Sequence, residues 1–113
     1  MKYAGTRINS GCGSQLVTKD DNILMPGPSQ KLYNHSPDGF NWGYGGSGPA
    51  QLALALLYDV TGDKELSVRL HQAFKWKFVA GWSASWEITG EEIKQWVETT
   101  VGETEEWLKR SPC

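Results

Sequence analysis

Residues 52–57 run Leu-Ala-Leu-Ala-Leu-Leu without a polar interruption and follow Pro49, a residue that suits the first turn of a helix. These are strong helix formers, and their side chains cover nearly the whole circumference, with Gln51 the polar exception, so the pattern predicts a central helix buried on all sides. Gly62 is its natural stop, and Asp63 is placed to cap a second helix whose Leu66, Leu70, Ala73, Phe74 and Phe78 recur at helical spacing. Phe74, Trp76 and Phe78 also alternate with period two, which leaves helix and strand both open over residues 74–78. Thr89-Gly90-Glu91-Glu92 has capping-box spacing and opens a third helix through Ile93, Trp96 and Val97, which Gly102 is expected to break before a turn at Trp107.

Upstream the apolar positions come in short runs separated by turn residues. Residues 3–8 and 15–18 flank a glycine and serine turn at 9–14 and read as a hairpin. Asp20-Asp21-Asn22 makes a second turn, Ile23-Leu24-Met25 a third short strand cut off by Pro26-Gly27-Pro28, and Lys31-Leu32-Tyr33 an edge strand before an irregular stretch at 34–48. Trp86-Glu87-Ile88 is a further short extended piece. The order predicts a single α+β domain over residues 1–113, with a small antiparallel sheet from the N-terminal part and about three helices packed on one face.

Composition narrows the class. With 39% hydrophobic and 21% charged residues and six tryptophans, the chain has a core to bury and is expected to fold alone or as a small homo-oligomer. A net charge of −2 argues against a general nucleic-acid binder, and the acidic residues from Glu91 onward read as a solvated helix face. No basic start leads into an apolar run, and the longest apolar stretch is far shorter than a membrane span, so a cytoplasmic protein without membrane partners is expected. Cys12 and Cys113 are read as free thiols, with one terminal clip left open. Two histidines without paired cysteines give no metal site, and His71 takes a surface or core role.

The most unusual segment is Phe40-Asn-Trp-Gly-Tyr-Gly-Gly-Ser-Gly-Pro49. Its glycines permit close backbone approach, and the helix that follows offers unpaired amides and a dipole that favour an anion. Trp42 and Tyr44 stand beside it as stacking surfaces for a planar group. The expected ligand set is His35, Trp42, Tyr44, Gly45, Gly46, Ser47, Gly48 and Gln51, with Arg7 either on a phosphate or in a surface salt bridge. Gly43, Gly45 and Gly48 match G-x-G-x-x-G, yet no strand-helix-strand unit surrounds them, and no Lys-Ser or Lys-Thr follows as a phosphate-loop NTPase requires. The plainer alternative is that the glycines only let a tight loop pass beneath Trp42. Lys75-Trp76-Lys77 interleaves charge and aromatic surface as single-strand grooves do, and is read here as amphipathic packing with the lysines in water. His35 is near Ser36, Asp38 and Ser47 in sequence, but Ser47 lacks a Gly-x-Ser-x-Gly elbow, and no catalytic set or cofactor is assigned.

The block Asn34-His-Ser-Pro-Asp-Gly-Phe40 with Trp42-Gly-Tyr-Gly-Gly-Ser-Gly-Pro-Ala-Gln-Leu-Ala-Leu-Ala55 resembles a family of short proteins of unknown function, the domain of unknown function 6166 type, from phages, prophages and other mobile elements. The likeness extends more loosely through Tyr3, Gly5, Phe74, Lys75, Trp86, Ile93 and Trp96. It implies an accessory protein of a mobile element inside a bacterial cell and carries no catalytic residue. The expected function is non-enzymatic binding, and sequestration, of a phosphorylated nucleotide-like host defence signal at the Gly43 to Gly48 loop. The alternatives are a counter-defence inhibitor that binds a host protein through exposed tryptophans and the acidic helix, and a small hydrolase using His35.

Overall fold

The computed structural model describes residues 1–8 and 15–110, with side chains described as far as Gly102. Cys12 and Cys113, and the hairpin turn at 9–14, lie outside the described residues. The apolar run becomes α2 (Ser47–Thr61), in which every residue from Gly48 to Leu57 is buried. It begins two residues before Pro49 and ends at Gly62, whose left-handed conformation (φ 66°) lets its amide close onto Tyr58. Asp63 then caps α3 (Lys64–Lys77) by accepting from the Leu66 amide at 3.0 Å. The alternation at 74–78 resolves as helix through Lys77, because Phe74 faces the core while Trp76 faces outward.

The sheet has the order β3-β2-β1-β4 and is antiparallel throughout. Strands β1 (Lys2–Thr6) and β2 (Val17–Lys19) pair as the expected hairpin, and β3 (Asn22–Ile23) adds two residues after a turn in which Asp20 and Asp21 both take positive φ. The sheet is not confined to the N-terminal part. Strand β4 (Ser85–Thr89) returns from beyond α3 and pairs with all five residues of β1, which places β1 in the interior of the sheet. Tyr3, Val17, Trp86 and Ile88 point into the core, while Lys2, Thr6 and Glu87 alternate outward.

Two further expectations are corrected. Residues 31–33 form no edge strand: Lys31 and Leu32 end α1 (Gly27–Leu32), a helix of one and a half turns that starts where prolines fit, in its first positions. Gly102 does not break the last helix, and α4 (Gly90–Arg110) runs through it; the described residues hold four α-helices and a small antiparallel sheet, the expected α+β class with about three helices. The capping box is made as expected, with the Glu92 amide donating to Thr89 Oγ1 at 3.1 Å and the Thr89 amide to Glu92 Oε1 at 3.3 Å. No helix among the described residues is long and apolar enough to cross a membrane.

Helix α2 is the hub: it packs on α1, α3 and α4, and at its far end Asp59 ties it to the sheet. The buried Tyr3 hydroxyl donates to Asp59 Oδ2, and Lys19 Nζ pairs with the same oxygen at 2.9 Å. Burial first, and then the hydrogen bond to this carboxylate, push the Tyr3 phenol well above its ordinary pKa. On the core face Trp86 meets Trp42 edge to face at 5.5 Å, an approach that Gly5 permits, since a Cβ there would lie 2.6 Å from Trp86 Nε1 and 2.9 Å from the Trp42 ring.

Leu54 is fully buried near the middle of α2, so Leu54→Asp places an unpaired charge in the core and should leave little folded protein. A cooperative thermal transition at the wild-type temperature would show that α2 is not central.

Candidate functional site

The glycine loop is clamped from beneath by two cations. Arg7 Nη2 donates to the Trp42 carbonyl at 2.8 Å while its guanidinium lies 5.8 Å from the centre of the Trp42 ring. Lys75 Nζ donates to the Gly45 carbonyl at 3.1 Å and lies 4.5 Å from the Trp76 ring centre. The glycines are there because these side chains are. At Gly43, which has φ 85°, a Cβ would lie 2.2 Å from Arg7 Nη2, and at Gly45 it would lie 2.2 Å from the Trp76 ring. The Gly43 amide also donates to the Val79 carbonyl at 3.0 Å, which anchors the loop to the 3₁₀ turn at Val79–Gly81.

Gly46 then caps α2 in extended conformation without any side-chain acceptor, so the first-turn amides of Ser47 and Gly48 have no partner among the described residues. They adjoin an open polar cleft of about 210 Å³ bounded by Ser36, Asp38, Asn41, Tyr44, Ser47 and Gly48. Tyr44 is 47% exposed and lies over Gly46.

Gln51 is buried, and its polar atoms are used within the chain. Oε1 accepts from the amides of His35 (2.8 Å) and Ser36 (3.0 Å), and Nε2 donates to Ser29 Oγ at 2.9 Å. It therefore positions the wall of the cleft. His35 Nε2 meets His71 Nε2 at 2.8 Å, and the His35 ring stacks on Tyr33 at 4.2 Å. His71 Nδ1 donates to the Val68 carbonyl at 2.5 Å, so its Nε2 is the acceptor and His35 Nε2 the donor. Both rings titrate below the ordinary histidine value. Burial is the main cause for each; the charges of His71 and then Lys75 add to it at His35, and at His71 the bond to Val68 partly opposes it.

The structure thus brings Gly45, Gly46, Ser47, Gly48, Tyr44 and Arg7 into one loop region, with His35 and Gln51 behind it. Trp42 does not join them as a stacking surface. It is fully buried, with Nε1 donating to the Ser83 carbonyl at 2.8 Å. The exposed indole beside the loop is Trp76, at 66%. Lys75 is not in water either: it is 6% exposed, and its one-residue offset from Trp76 on α3 turns it inward. Arg7 makes no salt bridge among the described residues. The ring of His35 bonds to His71 and to neither Ser36, Asp38 nor Ser47. Sequence spacing missed the His35–His71 contact and the burial of Lys75; the only available signal was that the chain's two histidines both flank elements that border the loop. Among the described residues no group of three or more His, Cys, Asp or Glu side chains is placed to hold a metal ion.

Replacing Gln51 with Leu keeps volume but strips partners from two backbone amides and from Ser29 Oγ. By chemical denaturation it should cost about 2–4 kcal/mol, and Trp42→Ala about 3–5 kcal/mol. A loss below 1 kcal/mol for Gln51→Leu would mean that water replaces its carbonyl without cost.

No curated protein and no solved structure matches the chain. One family model matches residues 3–99, and on that span the chain belongs to the family of unknown function DUF6166.

Proposed function

We propose that the protein binds a small phosphorylated, nucleotide-like molecule at the glycine loop and returns it unchanged. The observation that carries this reading is Lys75. A lysine so fully buried is normally paired with a carboxylate. The ion pairs among the described residues are Met1–Glu91, Lys2–Glu87 and Lys19–Asp59, and they include neither Lys75 nor Arg7. Two cations thus hold loop carbonyls without an ion-pair partner among the described residues, directly before the positive end of α2 and its unpartnered amides. An anion at this position would supply the missing charge. Tyr44 and Trp76 provide planar surfaces on the two sides of the loop, and Asp38 on the cleft wall would accept from a sugar hydroxyl or a base amine. In a mobile-element accessory protein, which the central sequence block suggests, such binding would sequester a host defence signal.

Exposed Trp76 also favours a second reading, a counter-defence protein that blocks a host protein, because a solvent-facing indole suits an interface hot spot.

Calorimetry with cyclic and ADP-ribose-type nucleotides, followed by chromatography of the recovered ligand, tests the first reading. Gly46→Asp places a carboxylate at the helix cap, where it accepts from the Gly48 amide, while its Cβ, 2.5 Å from the Tyr44 ring, turns that half-exposed side chain aside; the variant should still unfold cooperatively and lose binding. Lys75→Met keeps the apolar stem and should weaken binding by about tenfold or more, the effect of losing roughly 1.4 kcal/mol. No affinity for any of these nucleotides would refute the proposal and leave the protein-binding reading, and a cleaved ligand would make the protein an enzyme.

A further inference from the structure

The chain's two histidines face each other across a seam. His35 belongs to the segment that leads into the glycine loop, and His71 belongs to α3, one turn before the Lys75 that holds Gly45. Trp76 covers Gly45 from the same helix, so α3 carries three side chains that meet this segment. The contact between the rings needs one of the two Nε2 atoms to be free of a proton. With both rings neutral, His71 Nδ1–H is committed to Val68 and its Nε2 accepts from His35; with one proton added, His71 Nε2–H donates to His35 Nε2 and the His35 proton moves to Nδ1. Protonating both rings sets two N–H groups head to head across 2.8 Å.

The surroundings add no acid to relieve this. From α3 the neighbours are Lys75 and the neutral Gln72, whose Nε2 is 3.4 Å from His71 Nε2. From the loop side there is the Tyr33 ring, and from α2 the neutral Gln51, which holds the His35 amide. The charges acting on the rings are those of Lys75 and, at His35, of His71, with no carboxylate among them.

We propose that the His35–His71 contact is a proton-operated clasp, which closes the segment leading to the glycine loop onto α3 while at least one ring is neutral and releases it when both are protonated. Gln51 keeps hold of the His35 and Ser36 amides, so the opening is confined to the α3 side of the seam, where Lys75 meets Gly45. The clasp stands on geometry within the chain and does not require that an anion bind the loop.

The sign follows from linkage. Both folded-state pKa values lie below the unfolded value of 6.5, so between the two the unfolded chain binds more protons than the native one. The clasp's contribution is complete above about pH 6.5 and is lost as pH falls toward the folded values.

The test is an NMR titration of the full chain from neutral to mildly acidic pH, which follows the imidazole resonances and the amide exchange of the loop after correction for intrinsic rates. Both rings should titrate together below 6.5. Protection of the Gly43 amide, which donates to the Val79 carbonyl, should fall by about tenfold or more for each pH unit between 6.5 and the folded-state midpoint, while Leu54 and Leu56 in α2 stay protected. The double variant His35→Gln with His71→Gln should abolish this pH response. Independent titration of the rings near 6.5, loop and α2 amides losing protection together, or a pH response that survives in the double variant would each overturn the clasp.

Discussion

A helix with no polar face can only be buried, and burying α2 from its first turn commits the rest of the chain to covering it. The sheet covers one side through Tyr3, Val17 and Trp86, while α1, α3 and α4 close the others. What remains is the helix start, where Gly46 supplies no capping side chain and Pro49 no amide. The segment that crosses this end must approach closely enough to exclude water from Gly48 and Pro49, yet leave the free amides somewhere to point. The glycines meet the first requirement and the polar cleft the second.

The single polar residue in the buried stretch of α2 shows how tight that arrangement is. Gln51 would be costly in an apolar helix unless its amide were satisfied, and it is satisfied by the crossing segment and by α1. One side chain therefore fixes three elements around the helix start, and both the position of His35 and the wall of the cleft follow from it. The covering elements are bound to α2 by polar contacts at its two ends, Gln51 at the start and Asp59 at the finish, and by apolar packing between.

Much of this was legible from residue order alone where the cause is local. The buried helix, its Gly62 stop, the Asp63 cap, the Thr89 to Glu92 box and the β1–β2 hairpin each depend on residues within a few positions of one another or on one turn. What escaped depends on residues far apart. Pairing of β4 with β1 joins Lys2 to Thr89, and no local pattern in residues 85–89 says which strand they will meet. Residues 31–33 have mild strand preference, but a start at Pro26 and Pro28 and the burial of Ser29 against Gln51 hold Lys31 and Leu32 helical, and only Tyr33 is extended. Within the candidate site the glycines were readable as permission for close approach, whereas the groups that approach, Arg7, Trp76 and Lys75, come from elements up to 36 residues from Gly43. Trp42 looked like a ligand surface because it borders the glycines, and it is buried because its indole is needed between Trp86 and the Ser83 carbonyl.

The balance of charge separates structural from functional explanations of the loop. If Lys75 served only to hold a carbonyl, a neutral donor would do so at a lower desolvation cost, since a buried cation without a counter-charge is among the more expensive arrangements in a protein interior. At Asp59, the other end of the same helix, the chain places a carboxylate, a lysine and a phenol together and leaves nothing uncompensated. The contrast lies within one helix. Where the fold needs only a tie it balances the charges, and at the glycine loop it leaves Arg7 and Lys75 on carbonyls without an ion pair among the described residues, next to two free amides that adjoin a cleft with Asp38 on its wall. That imbalance between the two ends of the helix is the ground on which the proposed anion site rests.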